Sequence, residues 1–367
     1  MVTSGKPDLI RRYNRDLIRA LILEKGPVTK VELARLSGAS VPTVNKIVNQ
    51  LEKDGIICVI NEDTNSVGRK AASYVVNKDA GYYIVFFIQN QCVQAGLANN
   101  HGEILHEERF TPDTDSADDV NETVFQTIET FKSEIPGEKL KAIGVGIPGI
   151  IDPENRIIAI PTVPCWEGIN LKSVLEDRYH IPVFLENDVK LMTVGAYRRG
   201  YSENYRNMVF LYISEGLGAG IIINGRLYKG ANNFAGEYGF MIPDFEKSVS
   251  HPKSTGDLEY KLRPLMEKKI RNESFNTEEY EFLYSMLSGI ITNFTAVLNP
   301  DVIVVCSPYL EEKDLDRVGE RIHQRIPDYC IPELEMISDD TYGINGVVEL
   351  CMTGIHTRLS LIDETGL

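Results

Sequence analysis

Between Asn14 and Lys25 the apolar residues Leu17, Ile18, Leu21 and Ile22 recur at helical spacing, and Gly26-Pro27 ends the segment. Thr29 and Glu32 have the spacing of a capping box, in which each side chain satisfies a backbone N–H that the first helical turn leaves free. The helix they open carries Leu33 and Leu36 and stops at Gly38. Ser40 and Pro42 open a third helix, in which Val44, Ile47, Val48 and Leu51 form an i, i+3, i+4, i+7 stripe that Gly55 ends. Three short helices with a tight Gly-containing turn before the last predict a helix-turn-helix. Ile56–Ile60 and Ala72–Val76 then predict a two-stranded wing, with Gly68-Arg69-Lys70 at its return. The outward side of the third helix holds Thr43, Asn45, Lys46, Asn49 and Lys53, residue types that contact phosphates and base edges in a major groove. Arg69 suits a narrow minor groove and Lys70 a phosphate. Taken singly, Lys46 and Lys53 also fit a solvated helix face and Thr43 a cap, and a three-helix module also serves as a protein-binding head.

After Asn77–Gly81 the pattern changes to strands alternating with helices. Strands are predicted at Tyr82–Ile88, Val93–Ala98, Leu105–Phe110, Ala142–Ile147, Val183–Leu185, Met208–Ser214 and Val302–Val305. Helices are predicted at Asp118–Ser133, from Leu171, after Asp188, and at Met286–Asn299. Two successive α/β units predict a bilobed body with a cleft between the lobes.

Charge separates the two parts. Residues 1–78 hold 13 Lys and Arg against 8 Asp and Glu, while the remainder holds 25 against 45, so a basic head sits on an acidic body within a net charge of −15. The 43% hydrophobic and 25% charged content excludes a disordered or fibrous chain. The N-terminal residues lack a signal-peptide core, and the apolar runs fall short of a membrane span. Six cysteines, at 58, 92, 165, 306, 330 and 351, form no CxxC pair, and the expected setting is reducing and cytoplasmic.

The body resembles the ROK family (repressors, open reading frames and sugar kinases), and in particular its winged-helix repressor branch. The resemblance is carried by Gly144–Gly149 (GVGIPG) with Asp152, Cys165–Gly168 (CWEG), Glu186-Asn187-Asp188, Gly216–Gly220 (GLGAG) with Asn224-Gly225, and Gly236–Gly239 (GEYG). With the head stretch LARLSGASVPTVNKIVNQLEKDG and the later GRK, it spans nearly the whole chain. It implies an actin-like, ribonuclease-H-like fold of the sugar-kinase type: a winged helix-turn-helix over residues 1–78 and a ligand-sensing and oligomerising body over 79–367, with lobes at roughly 79–185 and 186–367.

The nucleotide side departs from the family pattern. Where ROK kinases carry Asp-x-Gly-Gly-Thr, this chain reads Phe87-Ile88-Gln89-Asn90-Gln91; Glu215 replaces a small hydroxyl residue in the second loop, and Cys306-Ser307-Pro308 replaces a Gly-Gly pair. Side chains then stand where backbone N–H groups must approach phosphate, and a carboxylate opposes it. The sugar side is better kept. The resemblance assigns sugar hydroxyls to Asn187, Asp188 and Glu237, and more loosely to Glu259, while helix capping is the plainer use of Asn187 and Asp188. The family's zinc-binding His is Phe240, and its cysteine-rich loop is replaced by the cysteine-free 243–257, where His251 stands alone, so neither zinc nor another cofactor is expected. Thr162 and Cys165 alter the cleft wall, and Trp166 stacks on a sugar or belongs to the core. The expected protein is therefore a non-enzymatic, cytoplasmic regulator of carbohydrate-metabolism genes. It is a homodimer or homotetramer away from any membrane, bound to a double-stranded DNA operator and answering to a sugar or sugar-phosphate effector. The alternatives are a ROK sugar kinase with an appended DNA-binding head, and a body that only oligomerises or binds a protein.

Overall fold

The computed structural model describes residues 5–60, 72–89, 92–111, 116–152, 154–159, 163–214, 216–242, 256–337 and 341–365. In the head, α1 (Gly5–Lys25) starts well before the stripe that marks it, and β1 (Val28–Thr29) leads into α2 (Lys30–Ser37) and α3 (Val41–Lys53). The capping box forms: Thr29 Oγ1 accepts from the Glu32 N–H at 3.3 Å, and Glu32 Oε2 accepts from the Thr29 N–H at 2.8 Å. Ser40 occupies the N-cap of α3, but its hydroxyl pairs with Thr43 Oγ1 at 2.8 Å and leaves the backbone uncapped. Ile18, Ile22, Leu33, Val44, Ile47, Val48 and Leu51 close one core. The strands β2 (Ile57–Ile60) and β3 (Ser73–Val76) pair antiparallel with Ile57 opposite Val76, and β1 joins the far side of β3.

The body is built in layers. Its first sheet contains β4 (Tyr82–Gln89), β5 (Cys92–Asn99) and β6 (Ile104–Phe110), followed after α4 (Ala117–Glu134) by β7 (Leu140–Ile147). A small hairpin of β8 (Ile150–Ile151) and β9 (Ile157–Ala159) precedes α5 (Leu171–Tyr179) and β10 (Val183–Asn187), which completes the sheet in the order β10-β7-β4-β5-β6. Then α6 (Asp188–Ala196) crosses to β11 (Met208–Ile213), β12 (Leu217–Ile223) and β13 (Arg226–Leu227). After α7 (Asp257–Ile270) and α8 (Thr277–Leu298) come β14 (Val302–Cys306), α9 (Glu312–Ile322), β15 (Glu333–Ile337) and α10 (Tyr342–Thr365). The second sheet runs β13-β12-β11-β14-β15.

The two-residue period of the strands explains why β4 and β11 are apolar throughout. Tyr82, Ile84, Phe86 and Ile88 face α4 and α5, whereas Tyr83, Val85 and Phe87 face α6 and α10. Likewise Val209, Leu211 and Ile213 face α7 and α8, whereas Met208, Phe210 and Tyr212 turn to the middle layer. The helices α6 and α10 thus lie between the sheets, and they meet closely. A Cβ on Gly346 would stand 1.9 Å from the Leu191 carbonyl oxygen, and one on Gly195 would stand 2.1 Å from that of Tyr342. The long apolar helix α8 has the composition of a membrane span, yet Leu283, Leu287, Ile290, Ile291 and Phe294 lie in the second lobe's core.

Candidate functional site: the head surface and the interlobe cleft

The apolar side of α3 is spent on the head core, which leaves the opposite side facing outward. Lys46 and Asn49 are exposed and Thr43 and Asn45 half-buried. Thr43 is engaged with Ser40, and Asn49 Oδ1 accepts from Lys30 Nζ at 2.6 Å. Lys30, at the start of α2, also lies 5.2 Å over the Tyr74 ring of the wing, so it adds a cation beside α3 that periodicity did not single out. Arg69 and Lys70 lie outside the described residues, as do Asn90, Thr162, Glu215 and His251.

The Glu186-Asn187-Asp188 motif stands where β10 gives way to α6. Asn187 caps that helix: its Oδ1 accepts from the Lys190 N–H at 3.1 Å, while its Nδ2 donates to the Gly149 carbonyl and to Asp188 Oδ1, both at 3.0 Å. That amide has one lone pair left to offer and holds Asp188 in place. The neighbouring Glu186 is buried, accepts from the Asn187 N–H, and pairs with Lys229. Lys190, also buried, donates to the backbone carbonyl of Asn233. Residues 229–237 are therefore strapped to the motif by two lysines, and the strap ends at Gly236, whose φ of 94° and close approach to the Ala219 carbonyl only glycine allows.

Glu237 follows directly, and its charge reaches Asp188. Burial pushes the Asp188 carboxyl up to about 7, with the Val189 N–H opposing that shift, Glu237 adding to it, and Lys190 opposing it. Burial raises Glu237 as well, against Lys190 and with Glu259. Glu259 lies behind Gly239, in the first turn of α7, with one oxygen held by Arg263 at 2.7 Å. Charge thus couples Asp188 to Glu237 and Glu237 to Glu259, with the buried Lys190 opposing the shift of the first two. Such a set accepts hydrogen bonds from hydroxyls and opposes polyphosphate.

At the tip of β4, side chains bridge the two sheets. Gln89, at the tip of β4, donates from Nε2 to Tyr212 Oη of β11 at 2.6 Å and lies 3.8 Å from Met192 Sδ. This hydrogen bond joins the lobes. Phe87 does not enter the phosphate loop: its ring packs against Gly343 of α10. The segment Gly216–Gly220, which reads as a phosphate loop, is mostly strand β12. Its Gly218 and Gly220 make room for Val189 and Thr193 of α6. Trp166 is core, donating from Nε1 to Asn121 Oδ1 at 3.0 Å. Phe240 packs against Phe234 with tilted rings, centroids 5.1 Å apart, and no metal-holding group of His, Cys, Asp or Glu occurs among the described residues.

A winged head joined to two αβ lobes, with charge-coupled carboxylates near the β10–α6 junction, defines a bilobed, sugar-kinase-type body carrying a DNA-binding domain. A sequence model of the ROK family matches residues 90–341, and one for winged helix-turn-helix DNA-binding domains matches residues 11–57. The chain belongs to the ROK family. It is 31% identical over 345 residues to the xylose repressor of Bacillus spizizenii, covering 89% of each chain. It is 26% identical over 238 residues to the N-acetylglucosamine repressor of Escherichia coli O157:H7, covering 64% of this chain and 58% of that one. Among solved structures, a ROK family transcriptional regulator described as a homolog of the Escherichia coli MLC protein superposes with a TM-score of 0.78 at 19% identity, covering 96% of this chain and 98% of that one. A ROK hexokinase from Thermus thermophilus superposes with a TM-score of 0.62 at 18% identity, covering 75% and 99%. The expected fold, a winged head on a sugar-kinase body, is the one found.

Proposed function

We propose that the chain is a sequence-specific transcriptional repressor of carbohydrate-metabolism genes, assembled as a homodimer or homotetramer. Its residues 1–78 hold the operator and its body binds a free sugar without phosphorylating it. The observation that carries this reading is a contrast within the body: Asp188, Glu237 and Glu259 are coupled by charge near the β10–α6 junction, while Gln89 at the tip of β4 is tied to Tyr212 of the other sheet. The relatives named xylose repressors make an aldopentose such as D-xylose the first effector to try. Asn187, Asp188, Glu237 and Glu259 are the proposed sugar contacts, Asn187 mainly by orienting Asp188. A kinase is the second reading, supported by the buried Asp188 carboxyl, which burial pushes up to about 7 and so into the range of a general base.

Thermal-shift titration with D-xylose, D-glucose, N-acetylglucosamine and their phosphates tests the sensor. A sugar present at 100 times its Kd should stabilise the folded chain by about 2.7 kcal/mol. A coupled assay for ADP over the same panel should show no turnover, and turnover lost in Asp188→Ala would restore the kinase.

DNA contact is proposed for Thr43, Asn45, Lys46, Asn49, Arg69 and Lys70. Lys46→Ala should weaken operator binding and, if that ammonium meets a phosphate, flatten the log–log salt dependence by about one unit. Asn45→Ala should cost about 1–3 kcal/mol on the operator and much less on random duplex, if its amide reads a base. Gel-shift titration over a range of salt on the chain's own upstream region distinguishes the two, and unchanged affinity in both variants would indicate a head that binds protein.

A further inference from the structure

We propose that Lys30 and Asn49 form a clamp for one backbone phosphate of the bound duplex, so that Asn49 grips the sugar-phosphate chain and reads no base. The proposal rests on the DNA-binding reading of the head. Lys30 is the first residue of α2, directly after the Thr29 N-cap, so the capping box fixes where its side chain leaves the helix. That side chain is half-buried, and its ammonium stands 5.2 Å from the ring centre of Tyr74, a wing residue only 5% exposed. It reaches α3 as well, donating to Asn49 Oδ1 at 2.6 Å. One cation thus joins α2, α3 and the wing.

This pairing decides what Asn49 can still do. An ammonium has three donors and no acceptor, so the amide atom that meets it is the carbonyl oxygen, and the NH2 end of the exposed Asn49 is left for a ligand. Glu32, the nearest acid along the chain, accepts instead from the Thr29 N–H and hydroxyl, both at 2.8 Å. No carboxylate pairs with Lys30 among the described residues. The remaining ammonium and amide donors form a set without an acceptor of its own, and the ligand that satisfies it is an oxygen acceptor bearing negative charge.

Adenine is excluded as that ligand. Asparagine reads it with both ends of the amide, donating to N7 and accepting from N6, and Lys30 already holds the accepting end. Donors alone also suit guanine, and here position decides. In a helix-turn-helix the early residues of the second helix meet base edges, whereas the first helix crosses the backbone. Asn49 stands in the later half of α3, tied to the first residue of α2, and so belongs to the backbone side. Lys46 and Lys53, three residues before it and four after, are exposed on the same side of α3 and extend the positive surface. Base reading then falls to the earlier Thr43 and Asn45.

Titration of the full chain over a range of salt, on its own upstream region and on a random duplex of equal length, tests the clamp. Lys30→Met keeps an apolar stem over Tyr74 and removes the charge, so the log–log salt dependence should flatten by about one unit on both duplexes. The parent's loss of affinity between about 50 and 200 mM salt should then shrink by roughly three- to fourfold in the variant. Lys30→Arg should keep the parental slope. Asn49→Ala should weaken both duplexes by the same factor, with the preference between them unchanged, and by less once Lys30 is methionine. Thermal melts check the fold of each variant, and Lys30→Gln carries the same slope test if the methionine variant melts early. An unchanged slope in the folded Lys30 variants overturns the clamp and leaves Lys30 a brace between helices and wing. A loss in Asn49→Ala confined to the upstream region overturns it in favour of base reading. A parent that binds neither duplex refutes the DNA-binding reading, and the clamp falls with it.

Discussion

Asp188→Ala is expected to abolish the response to sugar while the variant still binds its operator. Asp188 is buried at the first turn of α6 with its position fixed by Asn187, so its carboxylate is aimed before any ligand arrives. A hydroxyl that loses a charged acceptor in a desolvated cleft weakens binding by up to about 3 kcal/mol, on the order of a hundredfold in Kd. Calorimetry with the sugar found by thermal shift measures this directly, and parental affinity in the variant would mean that the ligand sits elsewhere.

The proton on Asp188 gives a second, sign-specific expectation. Its carboxyl titrates at about 7 in the folded chain against 3.8 ordinarily, because burial penalises the charge. Below 3.8 the group is protonated whether folded or unfolded and costs nothing. The penalty grows as pH rises toward about 7 and is constant above it. Asp188→Asn removes the charge, so its Tm advantage over the parent should be larger at pH 8 than at pH 5. Sugar hydroxyls donate to the ionised form, so binding should release a proton near neutrality and tighten as pH rises through that range. Calorimetry in buffers of different ionisation enthalpy reads the proton count, and an affinity that falls over the same interval would contradict the assignment.

Much of this architecture was legible because the signals are local. The head declares itself through a stripe on α3, a capping box three residues wide, and glycine stops, each readable within one turn of helix. The strands β4, β7 and β11 announce themselves as continuous apolar runs because helices cover both of their faces. Glu186-Asn187-Asp188 is contiguous, so its motif survives in the sequence although only the structure shows Asn187 occupied as a cap. What the sequence hid is long-range or contrary to propensity. Gln89 and Tyr212 lie on different sheets, and their pairing leaves no periodic trace. The helix α10 was missed for a related reason. Gly343, Gly346 and Gly354 lower its intrinsic helix propensity, and each is present because Phe87, Leu191 or Phe184 takes the space of a Cβ.

Those helix glycines carry the largest expected effect on stability. Gly346→Ala puts a methyl carbon 1.9 Å from the Leu191 carbonyl oxygen and 2.5 Å from its carbonyl carbon. The obstacle is backbone on both sides, so no rotamer change relieves it, and α10 must move away from α6 along their whole contact. Overpacking of an interior usually costs about 1–3 kcal/mol, and a backbone clash belongs at or above the top of that range. For a body of this size about 3 kcal/mol lowers Tm by roughly 5 °C. Gly289→Ala is the matched control, since its new methyl would meet only Arg325 Nη1, at 3.5 Å. Alanine there should leave α8 unchanged or stabilise it by about 0.5–1 kcal/mol through helix propensity. Calorimetric melting of the two variants beside the parent measures the contrast. Equal Tm values for Gly346→Ala and the parent would show that α6 and α10 are free to separate.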